Sequence, residues 1–234
     1  MQTRLALDAP EPALQQALEQ SGHALLPALL DAEQCRQLVD LYPQPDLFRS
    51  RILMARHGFG RGEYQYFRYP LPRLVEQLRQ DFYPLLASIA NTWSARLNLA
   101  ERYPASLPGF LQRCQQAGQL RPTPLLLRYQ PGDYNCLHQD LYGDLHFPLQ
   151  MAVLLSQPGR DFSGGEFCLT EYSSHEHRAE VVPLRQGDAV IFPVAARPVA
   201  GSRGGWRKVL ARHGVSQVLS GQRHTLGVIF HDAR

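Results

Sequence analysis

The apolar positions of this chain change their rhythm near its middle. Through the first half they recur at helical spacing, whereas after Leu125 they fall into short runs broken by turn residues. Pro12 to Gln20 reads as a short helix ending at Ser21-Gly22. Asp31 is a candidate N-cap for a second helix running to about Leu41, with Leu38 and Leu41 on one face. After Pro72 a longer helix is predicted, with Leu74, Val75, Leu78, Phe82, Leu85, Leu86, Ile89 and Trp93 as its core positions. Pro84 inside it predicts a kink or a break.

The second half predicts strands at 125–129, 148–156, 165–172, 179–184, 188–194, 206–215 and 223–231. Pro131-Gly132, Pro158-Gly159, Gly164-Gly165, Gln186-Gly187, Gly204-Gly205 and Ser220-Gly221 punctuate them. So many strands with so little helix between them favour antiparallel pairing, and a jelly roll closes such a set. The expected class is α+β. A mainly helical part, 1–120, packs on a jelly-roll core, 121–234, in one domain spanning 1–234. There is no internal repeat and no low-complexity tract.

Composition narrows the function only a little. At 44% hydrophobic the chain is ordinary for a globular protein, and no run is apolar enough to span a bilayer. The N-terminus carries Asp8, Glu11 and Glu19 and lacks a long apolar core, so a cytoplasmic protein is expected, with no membrane partner. Cys35, Cys114, Cys136 and Cys168 are too scattered for a thiolate zinc site and read as buried free thiols. A net charge of +3 says little, but Lys208 is the sole lysine among the basic residues. Arginine is the better fork for carboxylate and phosphate.

The most informative stretch runs from Arg128 to Asp140. On an extended segment, side chains two apart share a face, so His138 and Asp140 converge while Gln139 points away. An imidazole with a carboxylate suits iron(II), manganese or zinc. Alone, His-x-Asp is common by chance, and a mononuclear site needs a third ligand from a distant strand. His175 and His177 flank Glu176 in a segment that reads as a solvated loop, and His146 is placed for substrate or hydrogen bonding. His213 sits in a late strand, with Arg223 opening the last one, where a guanidinium can grip a carboxylate in a bidentate way. One geometric condition follows. If Ser220-Gly221 is a two-residue hairpin loop, Arg223 pairs with Val218 on the face opposite His213. Both point inward only if an irregularity lies between Ser216 and Gln222.

With these residues the chain resembles the iron(II)/2-oxoglutarate dioxygenase superfamily. The resemblance covers most of 121–234. It comprises Tyr129 nine residues before His138, His-Gln-Asp140, Phe162-Ser-Gly-Gly-Glu-Phe167, Gln186-Gly-Asp-Ala-Val-Ile-Phe192, His213-Gly-Val215 and Arg223. It implies a double-stranded β-helix and oxidative decarboxylation of 2-oxoglutarate by O2 to succinate and CO2, coupled to hydroxylation of a second substrate. His138, Asp140 and His213 match the Fe(2+) ligands. Arg223 matches the 2-oxoglutarate anchor, with Tyr129 and Thr225 as further cosubstrate contacts. The stretches 54–72, 132–145 and 179–192 resemble a bacterial family of oxygenases suggested to act on damaged nucleic acid. Tyr-x-Pro-Gly followed by Leu-His-Gln-Asp is similar to the AlkB-type demethylases, which usually carry a second arginine six residues after the anchor, where this chain has Ile229. Phe-x-Gly-Gly-Glu and Gly-Asp-Ala are equally similar to prolyl-hydroxylase-like members.

The substrate is read from residues 48–73. Arg49, Arg51, Arg56, Arg61, Arg68 and Arg73 stand against one acid, Glu63, and are interleaved with Phe48, Phe59, Tyr64, Tyr66, Phe67 and Tyr69. Arginines for phosphates beside aromatics for bases suit single-stranded or damaged nucleic acid. The competing reading packs the aromatics on the barrel and leaves the arginines solvated. Gly58, Gly60 and Gly62 make this segment a candidate lid. The candidate substrate contacts are Arg56, Arg61, Tyr64, Tyr66 and Tyr142. Three functions stay open: an oxygenase acting on a nucleobase or on a peptide or amino acid, a hydrolytic zinc or manganese enzyme, and a silent binding module. Arg223 favours the first, since a hydrolase needs no dicarboxylate anchor.

Overall fold

The computed structural model describes residues 11–141, 143–173, 177–202 and 204–234. Among these residues are four α-helices: α1 (Glu11–Ser21), α2 (Ala32–Val39), α3 (Arg73–Arg96) and α4 (Leu107–Gln116). Asp31 caps α2 in a full capping box, accepting from the Gln34 amide while the Gln34 side chain accepts from its own. α3 continues through Pro84 for 24 residues, so the expected break is absent. α4, capped by Ser106, was not foreseen from the apolar spacing.

The first half is mainly helical, as expected, but it also carries four strands that the apolar spacing did not predict. It contributes β1 (Ala24–Leu26), β2 (Phe48–Leu53), β3 (Gly60–Arg61) and β4 (Glu63–Phe67). The second half supplies β5 (Leu125–Tyr129), β6 (Tyr134–His138), β7 (Leu149–Leu154), β8 (Phe162–Gly164), β9 (Phe167–Tyr172) and β10 (His177–Val182). After these come β11 (Ala189–Pro193), β12 (Ala196–Ala200), β13 (Trp206–Val215), β14 (Val218–Gly221) and β15 (Arg223–Val228). The major sheet runs β1-β11-β7-β15-β5-β4-β2, the minor one β10-β9-β13-β6-β3 with β12 beside β13, and β14 pairs with β8. Every strand pairing within these sheets is antiparallel.

Period-two alternation in the major sheet sorts its side chains. Leu149, Met151, Val153, Ile191, Leu226 and Val228 join the helix residues Leu18, Leu38, Leu78, Phe82 and Phe110 in the main core. The other face of the sheet turns toward the minor sheet, where Ala152, Val190 and Phe192 meet Phe167 and Leu169. The helices therefore cover one face and leave the space between the sheets for a site. One buried ion pair locks this arrangement: Arg79 of α3 donates to Asp232 at 2.7 Å and to the carbonyls of Ile229 and His231. It holds the segment following β15, the strand that begins at Arg223. Among the described residues no helix is long and apolar enough to cross a membrane.

Candidate metal and cosubstrate site

His138 ends β6, Asp140 follows two residues on, and His213 lies directly across from His138 on β13. The pairing of β13 with β6 shifts register between His213 and Val215, because one residue of β13, Gly214, faces two of β6, Cys136 and Leu137. This bulge turns both Asn135 and His138 toward the interior, although they are three positions apart. Gly214 makes it possible, since a Cβ there would lie 2.7 Å from the Asn135 carbonyl oxygen.

The three donor groups lie within 4.8 Å of one another. His138 Nε2 is 3.3 Å from Asp140 Oδ1, and His213 Nε2 is 3.3 Å from Asp140 Oδ2. His138 Nδ1 donates to the Cys136 carbonyl at 2.8 Å, which leaves the Nε2 lone pair for a ligand bond. Burial works against ionisation of Asp140, but the His138 and His213 rings beside it outweigh that and hold its carboxyl well below the usual range. Burial lowers the pKa of His213 and so favours the neutral ring that a metal requires. Gln150 of β7 donates from Nε2 to Asp140 Oδ2 at 2.9 Å and lies 3.1 Å from His213 Nε2.

Deeper in, Arg223 is 1% exposed. Its Nη1 donates to Thr225 Oγ1 at 2.5 Å, and its Cζ lies 5.6 Å from the Tyr129 ring centroid. Among the described residues its Nε has no partner, and no carboxylate is within ion-pair distance of it. Burial pushes its pKa down to about 10. A desolvated cation without an acid is costly, and an anion entering the cavity relieves that cost. Burial also pushes the Tyr129 hydroxyl above its ordinary range, against the pull of Arg223 and Asn135.

Metal donors and arginine open on one cavity of about 130 Å³, lined largely by apolar and aromatic groups. Tyr64, Tyr66, Tyr129, Arg223 and Thr225 all line it with the His-Asp-His set, as the sequence expected. Arg56 and Arg61 do not; both are exposed, on the segment that passes over β6 through β3. Tyr142 lies outside the described residues, as do His175 and Glu176. His177 is in β10, exposed, rather than in a loop. His146 is outside the cavity lining. Gln139 lines the cavity edge, but its amide is spent on the Ala195 and Ala211 carbonyls. Asn135 and Gln150 are lining residues the sequence reading missed; Phe59, one of the interleaved aromatics, and Ile229, at the position of the second AlkB-type arginine, line it too. The irregularity expected between Ser216 and Gln222 is present, and Ser220-Gly221 is not a simple hairpin loop. Instead β14 leaves the minor sheet to pair with β8, with a register shift between Val218 and Ser220, and β15 enters the major sheet with Arg223 opposite Tyr129.

The donor set fits a divalent metal of the iron type, and the orphaned, buried Arg223 fits the far carboxylate of a dicarboxylic acid. Residues 62–233 match a protein family described as "Oxygenase, catalysing oxidative methylation of damaged DNA". Uncharacterized proteins from two strains of Mycobacterium tuberculosis are 46% identical over 168 residues, 71% of this chain and 72% of theirs. A Pseudomonas putida prolyl-4-hydroxylase superposes with a TM-score of 0.54 at 16% identity, covering 96% of this chain and 100% of its own. A 2OG-Fe(II) oxygenase family protein from Burkholderia pseudomallei gives 0.54 at 16%, over 97% and 93% of the two chains. At such identity these structures speak for the fold, a double-stranded β-helix. The chain therefore belongs to this oxygenase family.

Proposed function

We propose that this oxygenase is an iron(II)- and 2-oxoglutarate-dependent dioxygenase that uses O2 to oxidise alkyl groups on damaged nucleobases, with His138, Asp140 and His213 holding the iron and Arg223 holding the cosubstrate. The observation that carries the substrate reading is the aromatic wall. Tyr64 and Tyr66 line the cavity with rings 5.3 Å apart and nearly perpendicular, and Arg49 lies 4.4 Å over the Tyr66 ring. A flat base stacks on such a wall, and the exposed Arg56 and Arg61 offer cations for the phosphates outside. The family description, which names damaged DNA, supports the same reading.

Bound iron(II) with 2-oxoglutarate and O2 supplies the oxidising power that places one oxygen atom in a substrate C–H bond, the other ending in succinate. Arg223 and Thr225 fix the far carboxylate of the cosubstrate, with Tyr129 beside it. Phe167 and Phe192 pack around His213, at 6.2 and 4.7 Å between ring centroids, and keep water from the metal side. A hydroxylated N-methyl group leaves as formaldehyde and restores the N–H of the base.

The test is succinate and formaldehyde release with iron(II), 2-oxoglutarate and O2, on N-methylated single-stranded oligonucleotide, unmodified oligonucleotide and proline-rich peptide. Release coupled to the methylated strand, and abolished in His138→Ala, is expected. Oligonucleotide affinity should also fall steeply with salt and drop on replacing Arg56 and Arg61. Product from the peptide alone would replace the nucleobase by a prolyl-hydroxylase-like substrate. Equal turnover by His138→Ala would reject the assigned ligands.

A further inference from the structure

Gln150 stands out on the inward face of β7. Its neighbours Leu149, Met151 and Val153 turn to the helix-side core, whereas Gln150 sits opposite Phe192 of β11 and is 4% exposed. An amide in an aromatic wall is an expensive choice unless its polar atoms are used. Only one end is used among the described residues. Nε2 reaches Asp140 Oδ2 at 2.9 Å and His213 Nε2 at 3.1 Å, whereas Oε1 is buried without a partner. The amide cannot be turned over, because Oε1 would then face a carboxylate oxygen and an imidazole lone pair. Packing alone does not explain it either, since leucine or methionine would fill the same space with no orphaned carbonyl.

We propose that Gln150 is a positioning residue of the metal centre. Its Nε2 donates to Asp140 Oδ2, so that Oδ1 is presented to the metal. The amide is rigidly placed, because β7 is paired on both sides, to β11 and to β15, the strand that carries Arg223 and Thr225. This inference rests on the reading of His138, Asp140 and His213 as the ligands.

The experiment is an anaerobic titration with cobalt(II), followed by its electronic absorption, on wild type, Gln150→Leu and Gln150→Met. The melting temperature of each metal-free protein is measured alongside. Both variants are expected to melt no lower than wild type, having lost an unsatisfied carbonyl, yet to bind cobalt(II) about 10–100-fold more weakly, with an altered ligand-field spectrum. Wild-type affinity and spectrum in both variants would overturn the role of Gln150 while leaving the ligand set intact. A lowered melting temperature with unchanged affinity would likewise assign Gln150 to the fold alone. Failure of the wild-type protein itself to bind cobalt(II) would overturn the ligand set, and this inference with it.

Discussion

Arg223 faces Tyr129 directly across the antiparallel pairing of β15 with β5, its guanidinium 5.6 Å from the tyrosine ring. The two side chains are buried together, at 1% and 0% exposure, so the cation is screened by a ring and a hydroxyl rather than by water or an acid. The fold holds a positive charge ready at the inner end of the cavity. It is placed by strand register, and register is the most rigid element of this architecture.

Replacing Arg223 with glutamine should therefore separate binding from folding. Hydrogen bonds to a charged group are worth about 1.5–3 kcal/mol, so KM for 2-oxoglutarate should rise roughly 10- to 150-fold. In the absence of ligand the variant should melt no lower than wild type, because it sheds a buried, unpaired charge. Steady-state kinetics at varied 2-oxoglutarate and thermal denaturation check both halves. A large fall in melting temperature with unchanged KM would show that Arg223 serves the fold instead.

Gly62 offers a second route to the same pocket. Its φ is +119°, and a Cβ there would lie 2.8 Å from Tyr129 Cδ1. Gly58, at φ +71°, has nothing within 4 Å of its Cβ position. Gly58→Ala should cost only the backbone penalty, about 1–2 kcal/mol. Gly62→Ala adds the clash and should cost about 2–4 kcal/mol, and should also raise KM for 2-oxoglutarate by displacing the tyrosine. Urea denaturation and cosubstrate kinetics on the pair measure the difference.

The cluster of His138, Asp140 and His213 was legible because two of them share a short extended segment and the third lies in a strongly patterned strand. The irregularity on the path to Arg223 was foreseen, but its form was not. Ser220-Gly221 is a local turn signal, but pairing of β14 with β8 is a long-range choice that local residues do not encode. Asn135 was invisible because only the bulge in β6 turns it inward. Gln150 did carry a signal: it is the lone polar residue in Leu149–Leu155, and a polar side chain in a buried strand demands a partner. The strands at 48–53 and 63–67 were passed over because their arginines and aromatics read as a loop. Yet Tyr64 and Tyr66 alternate with Glu63 and Gln65 at strand period, the tyrosines into the cavity and Glu63 toward Arg51 and Arg128.

Acid should destabilise the protein through two histidines. Burial first, then nearby charge, pushes His231 down to about 3 and His224 to about 4, from an ordinary value of 6.5. The unfolded chain takes up these protons below about pH 6.5, while the folded protein refuses them until pH 4 or lower. Their contribution is thus fully present above pH 6.5 and is lost as pH falls, at about 1 kcal/mol per pH unit for each group. Urea midpoints between pH 7.5 and 5 should fall accordingly, and His224→Gln should flatten the slope by roughly half of that sum. A flat profile for wild type would remove both groups from the account.

The aromatic wall yields the sharpest test of the substrate. Tyr66 is 8% exposed, lines the cavity and carries the Arg49 guanidinium on its ring. If a base stacks there, the ring matters and the hydroxyl does not. Tyr66→Phe should therefore keep near-normal turnover. Base–aromatic stacking is worth about 1–3 kcal/mol, so Tyr66→Leu, which keeps the site apolar, should raise KM for a methylated oligonucleotide by about 5- to 150-fold. KM for 2-oxoglutarate should stay unchanged in both variants, because Arg223, Thr225 and Tyr129 are untouched. A parallel rise in both constants would mean that Tyr66 merely supports the barrel. An unchanged oligonucleotide KM in Tyr66→Leu would move the base away from this wall.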